Sequence, residues 1–369
     1  MATVRDILNA VDAIAPLRLA EDWDNVGLLL GNPDRRVRKA LVCMDVTSVV
    51  IAEAKALGAG CIISHHPFTR DAFRRVTTDT FDGRIAVEML EAKIALVSAH
   101  TNLDAAAGGL CDHLADIVGL TDAEPLSPSP SETRYKLAVF VPDADLAKVQ
   151  AALFAAGAGH IGAYRECSFR AGGVGTFRAG PGAKPAVGRR GRREEVCEYR
   201  LEVVVPTGAL EEVIKAMRAA HSYEEPAFDV YPTEVLPEGI GISRHGLLAK
   251  KITVRRLAEI FKRGVKAQAA QVSPTGMLSR TVQHVAVCSG SAGSEVVPAI
   301  AAGCEVLLCG ELKHHDILTA TAAGMATVMA GHFETEKAGL GRFAKALRRI
   351  VPKIEFRESR REGPAFVTI

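Results

Sequence analysis

The chain has 369 residues, enough for two or three domains with full-sized cores, and its 48% hydrophobic and 24% charged residues are an ordinary globular mix. Lys+Arg 45 against Asp+Glu 43 leaves a formal net charge of +2, which gives no general field for nucleic acid or a membrane surface. No apolar run approaches the roughly 20 residues that a membrane helix needs.

The opening "MATVRDILNAVDAIAPLRLAEDWDN" carries apolar and charged residues at helical spacing, so it reads as helix and not as a signal peptide. Residues 41–64, "LVCMDVTSVVIAEAKALGAGCIIS", read as a buried strand, a turn, a helix and a second buried strand. "SHHPF" (64–68) then sets His65 and His66 at that strand's end. A further strand and helix start follow in "IALVSAHTNLDAAAGGL" (94–110), which contains His100 and Asp104. Pro/Ser-rich "PLSPSPSE" (125–132) is linker-like. Between it and the second linker, "YPTEVLPEGIG" (231–241), lies an internal repeat: "LAVFVPDADLAKVQAALFAAGA" (137–158) matches "LEVVVPTGALEEVIKAMRAAHS" (201–222). With strand candidates around 164–178 and 227–235, this makes a βαββαβ pattern, interrupted by a basic Gly/Pro-rich loop at 179–195.

A second repeat joins the two ends of the chain. "AVCSGSAGSEVVPAIAAGCEVLLC" (286–309) lies over 41–64 without a gap, and "MATVMAGHFETEKAGL" (325–340) resembles 94–110. Skipping one residue brings His332 onto His100 and Glu336 onto Asp104. Strand–helix–strand units with continuous apolar strands predict a parallel sheet covered by helices on both faces. The expected fold class is therefore α/β. Two duplicated lobes, 1–132 and 237–369, would carry a ferredoxin-like α+β domain inserted at about 133–236.

His65, His66, His100 and His332 all follow predicted strands, where open α/β sheets build their sites. Asp104 and Glu336 stand four residues beyond a histidine, on the same side of a first helical turn. The plainer alternatives are helix capping for His100 and His332, and helix-dipole complementation for Asp104 and Glu336. Mixed imidazole and carboxylate donors suit Zn²⁺, Fe²⁺ or Mn²⁺ better than Ca²⁺ or Mg²⁺. Three imidazoles and two carboxylates exceed what one catalytic zinc requires, whereas two cations bridged by a carboxylate would use them all. His314 and His315 in "GELKHHD" (310–316) mimic His65 and His66 in residue type. The repeat instead aligns His65 and His66 with Gly310 and Glu311, so the second pair is displaced by four positions and expected off the metals. The eight cysteines contain no C-x-x-C pair and read as free thiols in a cytoplasmic setting, not as disulfides or a cysteine zinc site.

The motifs "EDWDNVGLLLG" (21–31), "SHHPF", "AHTNLDAA" (99–106), "GELKHHD" and "GHFETE" (331–336), in this order, resemble the Nif-three-like dinuclear-metal family, also known as GTP cyclohydrolase 1 type 2 homologues. The middle, including "HSYEEPAFDVYP" (221–232), resembles the PII/CutA-like insertion of longer members. The resemblance implies two divalent transition-metal ions per chain on His65, His66, Asp104, His332 and Glu336, with Glu336 as the bridge. It also implies a toroidal homohexamer with metals facing the interior. His100 is read as a catalytic proton carrier or orienting group. The function expected is metal-activated hydrolysis of a small molecule, a nucleotide such as GTP or a phosphoester. The alternative is a non-catalytic metal- or ligand-responsive assembly. "TRDAFRRV" after the histidine pair places Arg70, Arg74 and Arg75 either as surface charge or as groups that orient phosphate.

Overall fold

In the computed structural model, which describes residues 2–69, 75–127, 134–162, 164–233 and 239–365, the chain separates into two units, Met1–Ser129 with Pro237–Ile369 and Pro130–Leu236. The first unit begins with β1 (Gly27–Leu30), β2 (Lys39–Cys43), β3 (Cys61–Ser64), β4 (Ala95–Ser98) and β5 (Leu120–Glu124). Every residue of β3 and β4 is buried, as befits parallel strands covered on both faces.

The second unit holds β6 (Arg134–Pro142), β7 (Ser168–Arg178), β8 (Arg193–Pro206) and β9 (Phe228–Thr233). They form one antiparallel sheet in the order β7-β8-β6-β9, with helices Leu146–Ala155 and Leu210–Ala220 between strands. Pro142 and Pro206 end the two repeated strands and each leads through a 3₁₀ turn into a helix. Their core joins Leu137, Val139, Val149 and Leu153 to Leu201, Val203, Val213 and Met217, matched pairs of the repeat.

The first unit resumes with β10 (Ser243–Thr253), β11 (Gln271–Ser273), β12 (Thr281–Cys288), β13 (Val306–Cys309), β14 (Ala326–Met329) and β15 (Glu355–Glu358). Two mixed sheets result, β1-β4-β3-β2-β15 and β11-β14-β13-β12-β10-β5. At their centres β2, β3 and β4 run parallel, as do β12, β13 and β14. β3 and β13 occupy the same positions of the ungapped repeat. The residue that must be skipped after β14 is Gly331, at φ +97°, where a side chain would meet the Glu334 carboxylate at 2.1 Å.

The two sheets exchange elements. β15, from the C-terminal end, pairs with β2, while β5, from the N-terminal half, pairs with β10. The 19-residue helix His332–Ile350 follows β14 of the second sheet but buries Leu340, Phe343, Ala344 and Leu347 with Val42, Ile63 and Val97 of the first. Conversely, the helix Leu110–Val118, which follows the first sheet, packs Leu114, Ala115 and Val118 with Val285, Val306 and Val328 of the second. Each fully buried Leu or Phe is worth about 1.5–3 kcal/mol, so this crossing is strongly held. Among the described residues no helix is long and apolar enough to cross a membrane.

Candidate metal centre

The ends of β3 and β4 and the start of helix His332–Ile350 deliver four imidazoles to one place. The backbone N–H groups of His65 and His66 donate to the carbonyls of Cys43 and Met44, both at 2.9 Å, extending the β2–β3 ladder past its last residue. This continuation fixes where both rings leave the backbone. His65 Nδ1 donates to the Ala99 carbonyl at 2.9 Å, and His66 Nδ1 lies 2.8 Å from Asp45 Oδ1. His100 Nδ1 lies 2.8 Å from Asp24 Oδ1, and His332 Nδ1 lies 3.1 Å from Glu311 Oε1. With each Nδ1 held by an oxygen, Nε2 is left available on every ring. Holding the far nitrogen of an imidazole in this way is how proteins orient metal-ligating histidines.

Two carboxylates face those nitrogens. Glu336 Oε1 lies 3.1 Å from His332 Nε2 and 3.7 Å from His65 Nε2, while its Oε2 lies 3.1 Å from His66 Nε2. Asp104 Oδ2 lies 3.7 Å from His65 Nε2, and its Oδ1 accepts from Ser289 Oγ at 2.6 Å. One donor atom from each of His65, His66 and His100 falls within 4.8 Å of the others, and the same holds for His66, His332 and Glu336. His65 Nε2 and Glu336 Oε2 are buried without a hydrogen-bond partner among the described residues. The 3.1 Å approach of His66 to that oxygen is close but poorly aligned for a hydrogen bond. A buried orphan donor atom costs about 1–3 kcal/mol, which a bound cation would relieve. The donor set and the two orphans fit a metal ion.

The charges support this reading. Burial raises the pKa of Glu336, but His65, His332 and His66 outweigh it and hold the carboxyl well below the usual carboxylate range. Burial opposes the charged form of His66, yet Asp45 and Glu336 lift its pKa to about 10. The hydrogen bond to Glu336 lifts His332 to about 9. Asp24, despite its burial, is held at about 2 by His100 and by Thr101, whose N–H and hydroxyl donate to Oδ2 at 3.1 and 2.5 Å.

All six residues singled out in the sequence, His65, His66, His100, Asp104, His332 and Glu336, come together here. Neither His100 nor His332 serves as a helix cap through its side chain. His314 and His315 are exposed on the first turn of helix His314–Ala322 and belong to no metal-capable group among the described residues. The residue of that motif that reaches the centre is Glu311. Asp24, Asp45, Glu311 and Ser289 had no role assigned from sequence. Asp24 and Glu311 lie in quoted motifs, but only the folded chain shows which imidazole each one holds. Arg70 and Arg74 lie outside the described residues, and Arg75 is exposed.

His66 and His332 also form part of the wall of a cleft of about 630 Å³ that includes Phe81 and Arg361. Phe81 is 62% exposed there, and Trp23, 54% exposed, meets His100 edge-on with ring centroids 5.9 Å apart. Aromatic rings left open beside a polar centre can stack on a flat ligand.

The family model Duf34/NIF3 (NGG1p interacting factor 3) matches residues 2–363. A protein of Halalkalibacterium halodurans named GTP cyclohydrolase 1 type 2 homolog is 36% identical over 332 residues, covering 90% of this chain and 89% of that protein. One of the same name from Mycobacterium tuberculosis is 37% identical over 345 residues, covering 93% and 90%. Among solved structures, a Bacillus cereus protein related to NIF3 matches with a TM-score of 0.75 at 34% identity, covering 100% of this chain and 99% of that one. A Staphylococcus aureus protein shares the fold, with a TM-score of 0.81 at 24% identity and the same coverage. Sequence and fold thus agree along nearly the whole length, and the chain belongs to the Duf34/NIF3 family.

Proposed function

We propose that this chain is a dinuclear-metal hydrolase. His65, His66, Asp104, His332 and Glu336 would hold two divalent transition-metal ions, Zn, Fe or Mn, with Glu336 as the bridge. The observation that carries the reading is the convergence of back-anchored imidazoles on Glu336, whose two oxygens face different rings. Divalent cations there supply Lewis acidity, making water acidic enough to act as a nucleophile near neutral pH and neutralising charge that develops on an oxygen. His100 pairs with Asp24 and, among the described residues, with neither Asp104 nor Glu336. We assign it the proton-handling role, with Asp24 fixing its tautomer.

The substrate class is a nucleotide or phosphoester. Arg361 in the cleft offers a guanidinium for a phosphate, and Phe81 and Trp23 offer faces for a base. The GTP cyclohydrolase name of the relatives points to the same class. The setting is cytoplasmic, in keeping with eight free cysteines, and the assembly a homohexamer, to be measured by light scattering. Metal analysis followed by a hydrolysis screen over nucleotides and phosphoesters tests the function. Turnover should vanish with a chelator, return with one added metal, and fall at least about a hundredfold in Glu336→Gln. Full turnover in chelated protein refutes the reading.

A second reading rests on the other unit. Phe140, Phe177, Pro185, Val187 and Tyr223 line a cavity of about 410 Å³ beside Glu198, the size of a small-molecule site. In this reading, residues 133–236 form an inserted ligand-responsive domain and the metal centre is not catalytic. Metal binding without turnover, together with a ligand that protects Tyr223 from modification, would favour it.

A further inference from the structure

Away from the centre, β10, β12 and the turn before β13 bring three more donors together. His245 Nδ1 lies 3.0 Å from His284 Nε2, and Cys304 Sγ lies 3.7 Å from the same His284 nitrogen. All three donor atoms fit within 4.8 Å of one another. Cys304 precedes β13, whereas Gly310 beside the first centre follows it, so the two clusters occupy opposite ends of that strand. We propose that His245, His284 and Cys304 form a second cation site, taking one zinc ion through two imidazoles and a thiolate.

The distances carry the proposal. Zinc bonds of 2.0–2.1 Å to nitrogen and about 2.3 Å to sulfur place tetrahedral ligands about 3.3 Å apart for two nitrogens and about 3.6 Å for nitrogen and sulfur. The observed 3.0 and 3.7 Å match both edges to within a few tenths of an ångström. The fold does not demand these residues. In the first-sheet copy of the repeat the positions of His284 and Cys304 are filled by Lys39 and Ala59. Glu124, the cross-strand partner of His245 on β5, lies outside this group of three, which leaves the fourth tetrahedral position to water. Both imidazoles are half-buried, so an ion has access, while Cys304 is buried. Burial and the neighbouring His284 lower the pKa of His245, which keeps that ring neutral and ready to bind. Burial pushes the Cys304 thiol up to about 12, so binding must expel its proton to solvent as the sulfur–zinc bond forms. The site would pin β10 and β12 to the turn that opens β13.

Cobalt replaces zinc with a visible signature. Only a thiolate gives the near-ultraviolet sulfur-to-cobalt charge-transfer band, and the first centre contains no sulfur. Full-length protein stripped by a chelator and titrated with Co²⁺ should show that band. It should persist in His332→Ala, vanish in Cys304→Ser, and need at least roughly tenfold more cobalt in His284→Gln. Added zinc should bleach it. Far-UV circular dichroism checks the fold of each variant, and His245→Gln, which leaves the strand pairing intact, should raise the cobalt requirement as His284→Gln does, a reading that stands if the serine variant does not fold. Absence of the band from the parent, an unchanged band in Cys304→Ser, or an unchanged cobalt requirement in His245→Gln overturns the proposal.

Discussion

The two sheets of the first unit are copies of one frame used in opposite ways. At the end of β3 the chain places His65 and His66; at the matching end of β13 it places Gly310 and Glu311. Asp45, which holds His66, is matched by Gly290. The backbone pairing shifts with it: Gly310 and Glu311 both donate to the Gly290 carbonyl, at 2.9 and 3.0 Å, whereas His65 and His66 donate to Cys43 and Met44, whose counterparts are Cys288 and Ser289. One copy therefore supplies ligands, and the other supplies room for ligands carried by the helix that follows. A side chain on Gly290 would meet Glu336 Oε1 at 2.2 Å, and one on Gly310 would meet the backbone of His332 at 2.8 Å. Duplication gave two equivalent strand ends, and one site needed only one of them to carry imidazoles.

Restoring a side chain to the empty copy should break this division of labour most severely. Gly290→Ala combines the clash with Glu336 and a φ of +55°, and should remove most of the bound metal. The inserted unit's circular dichroism signature should remain. Normal metal content in this variant would mean that the glycine merely shapes a loop.

Cutting the packing that brings the crossing helix to the first sheet comes next. Phe343→Ala should cost about 3–5 kcal/mol in denaturant unfolding and lower metal occupancy with it. A loss of stability with full metal content would separate the helix's packing from its ligand role.

The anchors sharpen the comparison further. Glu311→Ala frees His332 Nδ1 without removing a ligand and should weaken metal binding about 10–100-fold. Asp45→Ala should do the same through His66, although the two anchors stand on different copies. Protons compete at this same place. In chelated protein the raised pKa values of His66, about 10, and His332, about 9, mean that their ion pairs with Glu336 stabilise fully below pH 6.5 and fade as pH rises through 9–10. The melting temperature of the stripped protein should therefore fall between pH 7 and pH 10 by more than that of Glu336→Gln, and its metal affinity should rise over the same range. Parallel pH profiles for the two proteins would remove the ion pairs from the account.

The smallest effect is expected at the mimic. Replacing His314 and His315 together by Gln should leave metal content unchanged, since both are exposed on a helix that begins beyond the strand end. The same change at His65 and His66 should abolish it. Equal losses would mean that the repeat register misplaces the ligands.

Much of the frame was legible because its signals are local. A parallel strand buried on both faces must be a continuous apolar run, so "CIIS" and "VLLC" announce themselves and fix where the following residues stand. The ungapped repeat then aligned the strand ends and separated His65 and His66 from His314 and His315 by arithmetic alone. The βαββαβ order of the second unit was readable for the same reason, from two Pro-ended strands and two amphipathic helices. What only the tertiary structure decided is long-range. Asp24 holds His100 across 76 residues, and Ser289 reaches Asp104 across 185. His245, His284 and Cys304 meet because β10 turns antiparallel beside β12, although nothing in their spacing suggests it. Above all, His332 and Glu336 face His65 and His66 because the apolar stripe Leu340, Phe343 and Leu347 crosses to bury itself on the other sheet. Residue type and strand position are written along the chain, but which partner a side chain finds depends on where the largest apolar surfaces meet, a choice made by the whole core at once.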